Sequence, residues 1–127
     1  MHKKHLYEYA VIRVFPRVES DEFLNVGLLL FCKSQKYLRA QIKWDENRLK
    51  THKTELDFDQ LKANLLSFEK IAKAEKNAGP IAELEVSERF RWLSAVRSSC
   101  IQTSRPHSGF AEDLDAVFDS LFAEYII

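Results

Sequence analysis

Two segments of this chain carry apolar side chains on both sets of alternating positions, and no other feature limits the fold as much. In Tyr7 to Phe15 (YEYAVIRVF), Tyr9, Val11 and Phe15 occupy one set, and Ala10, Ile12 and Val14 the other. Successive side chains of a strand point to opposite faces, so such a strand needs cover on both and belongs in the middle of a sheet. Pro16 ends it, because proline cannot donate to a ladder. Asn25 to Cys32 (NVGLLLFC) repeats the pattern. Tyr37 to Trp44 instead alternates cleanly, with Leu38, Ala40, Ile42 and Trp44 opposite Arg39, Gln41 and Lys43. That is a half-exposed strand nearer an edge, joined to its predecessor as a hairpin through Ser34-Gln35.

The period then changes. Phe58, Leu61, Leu65, Phe68 and Ala72 follow helical spacing, with Asp57 as N-cap and Gln60 placed for a capping box. Ser87 is expected to cap a shorter helix carrying Phe90 and Leu93, beside which Trp92 cannot also point inward. Arg97 to Ser104 reads as a fourth strand. A last helix places Leu114, Val117, Phe118, Leu121, Phe122 and Tyr125 on one stripe, and Glu112, Asp113 and Asp115 crowd its first turn, where the helix dipole favours negative charge. The expected fold is α+β: a mainly antiparallel four-stranded sheet with two or three helices packed on one face, in the order β-β-β-α-α-β-α. At 127 residues the chain has room for one core, so residues 1–127 form a single domain. The Gly79-Pro80 break only separates two parts of it.

Composition removes several function classes. Lys and Arg number 19, as do Asp and Glu, which argues against a uniformly basic nucleic-acid binder. The longest apolar run, Val26 to Cys32, is far short of the ~20 residues that span a membrane. No secretory signal is visible at the start, so a cytoplasmic location is expected. Cys32 and Cys100 read as inert buried thiols. With three glycines, a phosphate-cradling loop is not available, and no nucleotide-binding, metalloprotease or nucleophile-elbow motif is present. His2 and His5 lie near the terminus, so no metal site and no cofactor are expected.

Two segments are more polar than their setting requires. In the first, Arg13 interrupts an apolar strand, and a partly buried guanidinium needs a carboxylate, a carbonyl or a ligand. Glu19, Asp21 and Glu22 are available as ion-pair partners; the functional alternative is an anion-binding arginine, whose planar fork matches phosphate or carboxylate. The second segment runs from Arg97 to Gly109. Its hydroxyls and amides at Ser98, Ser99, Gln102, Thr103 and Ser104 suit either a polar edge strand or a surface that hydrogen-bonds an oxyanion or another chain. Outside the termini and His52, His107 is the one plausible general acid or base, and Ser108 is expected to cap the last helix.

The stretches YEYAVIRVFPRVESDEFLNVGLLLFC and FRWLSAVRSSCIQTSRPHSG resemble the bacterial family catalogued as domain of unknown function 3037, with the likeness extending over residues 7–125. The resemblance implies a small bacterial cytoplasmic protein; members of the family are often encoded beside a HipA-like kinase, which makes a subunit or regulatory partner one sensible role. The polar positions matching the family are Arg13, Pro16, Arg17, Glu19, Glu22, Asn25 and Gly27 in the first stretch. In the second they are Arg97, Gln102, Ser104, His107, Ser108 and Gly109. The family commonly has an apolar residue where this chain has Arg105-Pro106-His107.

The leading expectation is a non-enzymatic protein-interaction or regulatory subunit, which makes a HipA-like kinase a candidate partner. The alternative is an enzyme or binding protein for a phosphorylated small molecule or nucleotide. There Arg13, Arg17 and Arg97 would hold the anion, Gln102 and Ser104 would orient it, and His107 or Glu22 would move protons, with Asn25 a further candidate for binding the anion. A polar edge strand and a leftover aromatic also suit a homodimer. The balanced charge is uneven along the chain: net +5 over 1–53, −3 over 54–85, +3 over 86–110 and −5 over 111–127. If the helices cover one sheet face, basic groups gather toward the other.

Overall fold

The computed structural model describes residues 3–17, 21–50, 56–98 and 100–127. Three strands open the fold: β1 (His5–Val14), β2 (Leu24–Cys32) and β3 (Tyr37–Ile42). Helices α1 (Glu46–Lys50), α2 (Phe58–Ala72) and α3 (Val86–Ser94) follow, with a 3-10 turn at Pro80–Glu83 between the last two. Strands β4 (Ile101–Thr103) and β5 (His107–Ala111) then precede α4 (Leu114–Tyr125). All strand pairings are antiparallel, in the order β3-β2-β1, and β1's other edge is shared end to end by β4 and β5.

The sheet therefore has five strands rather than four. The added strand, β5, contains Ser108, so that residue pairs with Glu8 in the ladder and does not cap a helix. Asp113 caps α4 instead, accepting from the Ala116 amide at 3.0 Å. Ser87 likewise lies inside α3, whose N-cap is Glu85. Asp57 does cap α2, accepting from the Gln60 amide at 3.2 Å. The capping box stays open, because the Gln60 side chain reaches forward to Asn64.

The helices do not share one face of the sheet. Ile12, Val14, Val26, Leu29 and Phe31 pack against α2 and α3 through Leu61, Leu65, Phe68, Phe90 and Leu93. Tyr7, Val11, Leu28, Leu30 and Cys32 pack on the opposite side against Leu114, Phe118 and Phe122 of α4. Both alternation sets of β1 and β2 are consumed in this way, as their sequences require. The picture of basic residues collecting on an uncovered face falls with it. On β3, Arg39 turns toward α4: its guanidinium lies 4.0 Å over the Phe118 ring and pairs with Asp115 at 3.3 Å and Asp119 at 3.4 Å.

Helices α2 and α3 are joined by Arg89, whose guanidinium donates to the carbonyls of Leu84 (3.0 Å), Ile71 (3.0 Å) and Ala72 (2.8 Å). A cation at the C-terminal carbonyls of α2 satisfies groups that the helix leaves unpaired and opposes its dipole. Phe90 and Leu93 of α3 are buried, and Trp92 stands 57% exposed. No described helix is long and apolar enough to cross a membrane.

Candidate functional site

The site builds outward from β1. Its Ile12 and Val14 side chains enter the core under α2 and α3, so Arg13, between them, points to the α4 side. There the ladder shifts register between Ile12 and Arg13: Gly27 faces Ile12 but Asn25 faces Arg13, leaving Val26 as the extra residue. A bulge of this kind re-aims the side chain beside it. On β1's other edge Arg13 faces Gln102, and Gln102 in turn bridges to Arg97. Residues directly opposite in a ladder share a face. Asn25, Arg13, Gln102 and Arg97 thus form one transverse row, just beyond the C-terminal end of α4.

Arg13 is the centre of this row. Its guanidinium carbon lies 4.4 Å from the ring centroid of Phe23, which is 43% exposed and packs on Phe15 with centroids 5.5 Å apart. No carboxylate among the described residues pairs with Arg13; of the partners expected for it, Glu19 lies outside the described residues. The Nε of Arg13 and the Oδ1 of Asn25 are both buried and have no hydrogen-bond partner among the described residues. One is a donor, the other an acceptor, and they sit on directly paired residues. Asn25 uses its Nδ2 to donate to the Tyr125 carbonyl at 3.1 Å, which ties the row to the end of α4.

A second row lies along the same face. Tyr9 stacks on Tyr125 with ring centroids 5.9 Å apart and meets His107, its ladder partner on β5, at 5.5 Å. The Tyr9 and Tyr125 hydroxyls are 3.4 Å apart. That hydrogen bond, together with partial burial, pushes the Tyr9 phenol up to about 12. The sequence pattern places Tyr9 and Tyr125 on apolar stripes and gives Phe23 no role of its own. A signal for Tyr9 was present in the sequence, since it shares Arg13's alternation set.

The remaining candidates divide. Ser104 is not free for a ligand: its Oγ accepts from the Val11 amide at 2.8 Å and donates to the Arg105 carbonyl at 3.3 Å. Thr103 is likewise occupied, donating to the Leu93 carbonyl at 2.8 Å. Arg97 folds back on its own helix end, donating to the carbonyls of Val96 (2.8 Å) and Ser94 (3.4 Å). Arg17 and Glu22 are exposed on the β1–β2 connection, each already engaged with a partner. His107 is exposed and stands four residues along β1 from the Arg13 row, roughly 13 Å at the rise of an extended strand. It does not meet a group held at Arg13 at hydrogen-bond distance. Ser99, His2 and His52 lie outside the described residues.

Among the described residues, no group of three or more His, Cys, Asp or Glu is placed to hold a metal ion. A groove of about 390 Å³ opens on the opposite face, between α3 and the sheet, lined by Glu8, Phe31, Lys33, Phe90, Arg91 and Pro106 among others. It contains none of the candidate residues.

Sheet and rows together define an α+β scaffold covered on both faces, with donor groups and aromatic rings displayed past the end of one helix. The chain belongs to the family described as protein of unknown function (DUF3037), whose sequence profile matches residues 9–126. No curated protein and no solved structure matches it.

Proposed function

We propose that this protein is a non-enzymatic interaction subunit that docks an acidic segment of a partner protein on the face bearing Arg13, Gln102, Tyr9 and Tyr125. The observation that carries the reading is Arg13 itself. Its guanidinium rests on Phe23 and carries a buried Nε without a partner among the described residues. Leaving such a donor unpaired costs about 1–3 kcal/mol, and because the residue as a whole is only half-buried, a carboxylate from another chain can pair with the outer guanidinium nitrogens. Arginine and tyrosine are also the residue types that dominate binding energy at interfaces. Nothing described near the row pairs a nucleophile with a base, so proton transfer is not part of the proposal.

The family resemblance makes a HipA-like kinase the first partner to test. Co-expression of the full chain with such a kinase from the same host, followed by affinity purification, is the experiment. Recovery of a stoichiometric complex with the wild type, and its loss with Arg13→Ala, is the expected result. Wild-type protein recovered alone, or equal recovery with Arg13→Ala, would overturn the reading.

The alignment of Arg13 with Gln102 and Arg97 favours one second reading, a binder of a phosphorylated small molecule or nucleotide. Titration calorimetry with pyrophosphate and ATP separates the two: saturable binding abolished by Arg13→Ala would favour the small ligand.

A further inference from the structure

We propose that β5 pairs with the β5 of a second copy of this chain, making one continuous sheet across a two-fold axis at Gly109. The inference is independent of the Arg13 face and rests on a contrast between the two edges of the sheet.

Exposed strand edges template pairing with other chains unless charges or covering groups blunt them. The β3 edge is blunted. Arg39 lies within the strand and Lys36 and Lys43 flank it, while Glu69 of α2 accepts the Ile42 amide at 2.7 Å. The β5 edge is not. Between Arg105 and Glu112 the chain reads Pro-His-Ser-Gly-Phe-Ala, with no Lys, Arg, Asp or Glu, and among the described residues only β1 pairs with it.

The backbone of β5 is set up to pair outward. The Val11 amide and carbonyl both bond toward Ser104. Antiparallel alternation then directs the bonding groups of Tyr9, Tyr7 and His5 toward His107, Gly109 and Ala111. Ser108 and Phe110 are left with their N–H and C=O groups facing away from the sheet. A two-fold axis at Gly109 places Ser108 opposite Phe110 of the other copy, so that these outward groups exchange hydrogen bonds reciprocally, as an isologous interface requires.

Side chains and charges fit the same register. Phe110 is 67% exposed and faces Leu6, 53% exposed, across the β1–β5 ladder. In the paired sheet the two Phe110 rings become diagonal neighbours, within reach of one another, and the two Leu6–Phe110 pairs join into one apolar strip. Arg105, at one end of the segment, meets Asp113 of the other copy. The basic start and acidic end of Arg105–Asp113 thus complement each other when the strand runs against itself.

Sedimentation velocity of the full chain over a concentration series tests the proposal. The wild type is expected at twice the 14.8 kDa chain mass. Phe110→Glu and Ser108→Pro are each expected to raise the dimer dissociation constant about tenfold or more. Phe110 contributes only an exposed side chain, so Phe110→Glu is expected to keep the wild-type circular dichroism spectrum and melting transition. A wild type that stays monomeric at every concentration, or a dimer indifferent to both substitutions, would overturn the proposal. Unchanged dimer affinity in Arg105→Glu would overturn the register.

Discussion

Gly109 lies directly opposite Tyr7 in the β1–β5 ladder, and a Cβ on it would stand 2.4 Å from the tyrosine hydroxyl oxygen. The Tyr7 ring is buried against α4, so it fills the space a side chain at 109 would need. Gly109→Ala is expected to lower stability by about 1–3 kcal/mol, the usual cost of overpacking. Urea denaturation gives the value. Adding Tyr7→Leu should make the pair less damaging than the sum of the two changes; strict additivity would disprove the clash.

Ser104→Ala is expected to cost about 1–3 kcal/mol, because it leaves the buried Val11 amide without its acceptor. Recognition at Arg13 should be untouched. If Ser104→Ala abolished binding at full stability, the hydroxyl would be a ligand contact after all.

Arg89→Met should remove three hydrogen bonds, two to the Ile71 and Ala72 carbonyls at the end of α2 and one to the Leu84 carbonyl ahead of α3, and destabilise the fold by about 2–3 kcal/mol. Hydrogen exchange should localise the loss to the last turn of α2 and to the adjoining α3. Uniform protection across both helices would contradict that role.

Arg13→Met should leave stability within about 1 kcal/mol of wild type. The lost contact with the Phe23 ring is offset by removing a buried Nε that has no partner among the described residues. Thermal melts therefore separate folding from recognition at this residue, and a large fall in melting temperature would mark Arg13 as structural.

Tyr37 donates a 2.6 Å hydrogen bond to Asp115. Burial, and then that bond, push its phenol up to about 12 from an ordinary 10.0. The folded state thus holds the proton more tightly than the unfolded state does. This contribution is fully present below pH 10 and is lost as pH rises through about 12. Tyr37→Phe should flatten the fall in stability across that window, as followed by denaturation at stepped pH. Parallel curves for the two proteins would refute the linkage.

Sequence periodicity located β1, β2, β3, α2 and α4 because each carries its own apolar pattern. It also announced, through Ala10, Ile12 and Val14 against Tyr9 and Val11, that β1 needs cover on two sides. Assigning every helix to one face ignored that requirement, since the stripe on α4 says which residues it buries and nothing about where. Strand β5 has no pattern to detect: His-Ser-Gly-Phe-Ala is a strand because β1 extends beyond β4 and accepts it. Local preference pointed Ser108 toward a cap, and the ladder overrode it. Arg13, Asn25, Gln102 and Arg97 were all named, yet their alignment depends on the pairing of Arg13 with Gln102 from the far end of the sequence and on a bulge with no signature of its own.

Among the described elements, helix α4 alone closes one side of the sheet, and it is the last of them to be synthesised. The β1–β2–β3 meander can settle on α2 and α3 while Tyr7, Val11, Leu28 and Leu30 still face water. A chain emerging from the ribosome thus carries a bare apolar sheet face until α4 appears, the kind of surface that aggregates or recruits chaperones. Docking of α4 sets how long that exposure lasts, so folding yield in the cell should depend on this one helix more than on any other.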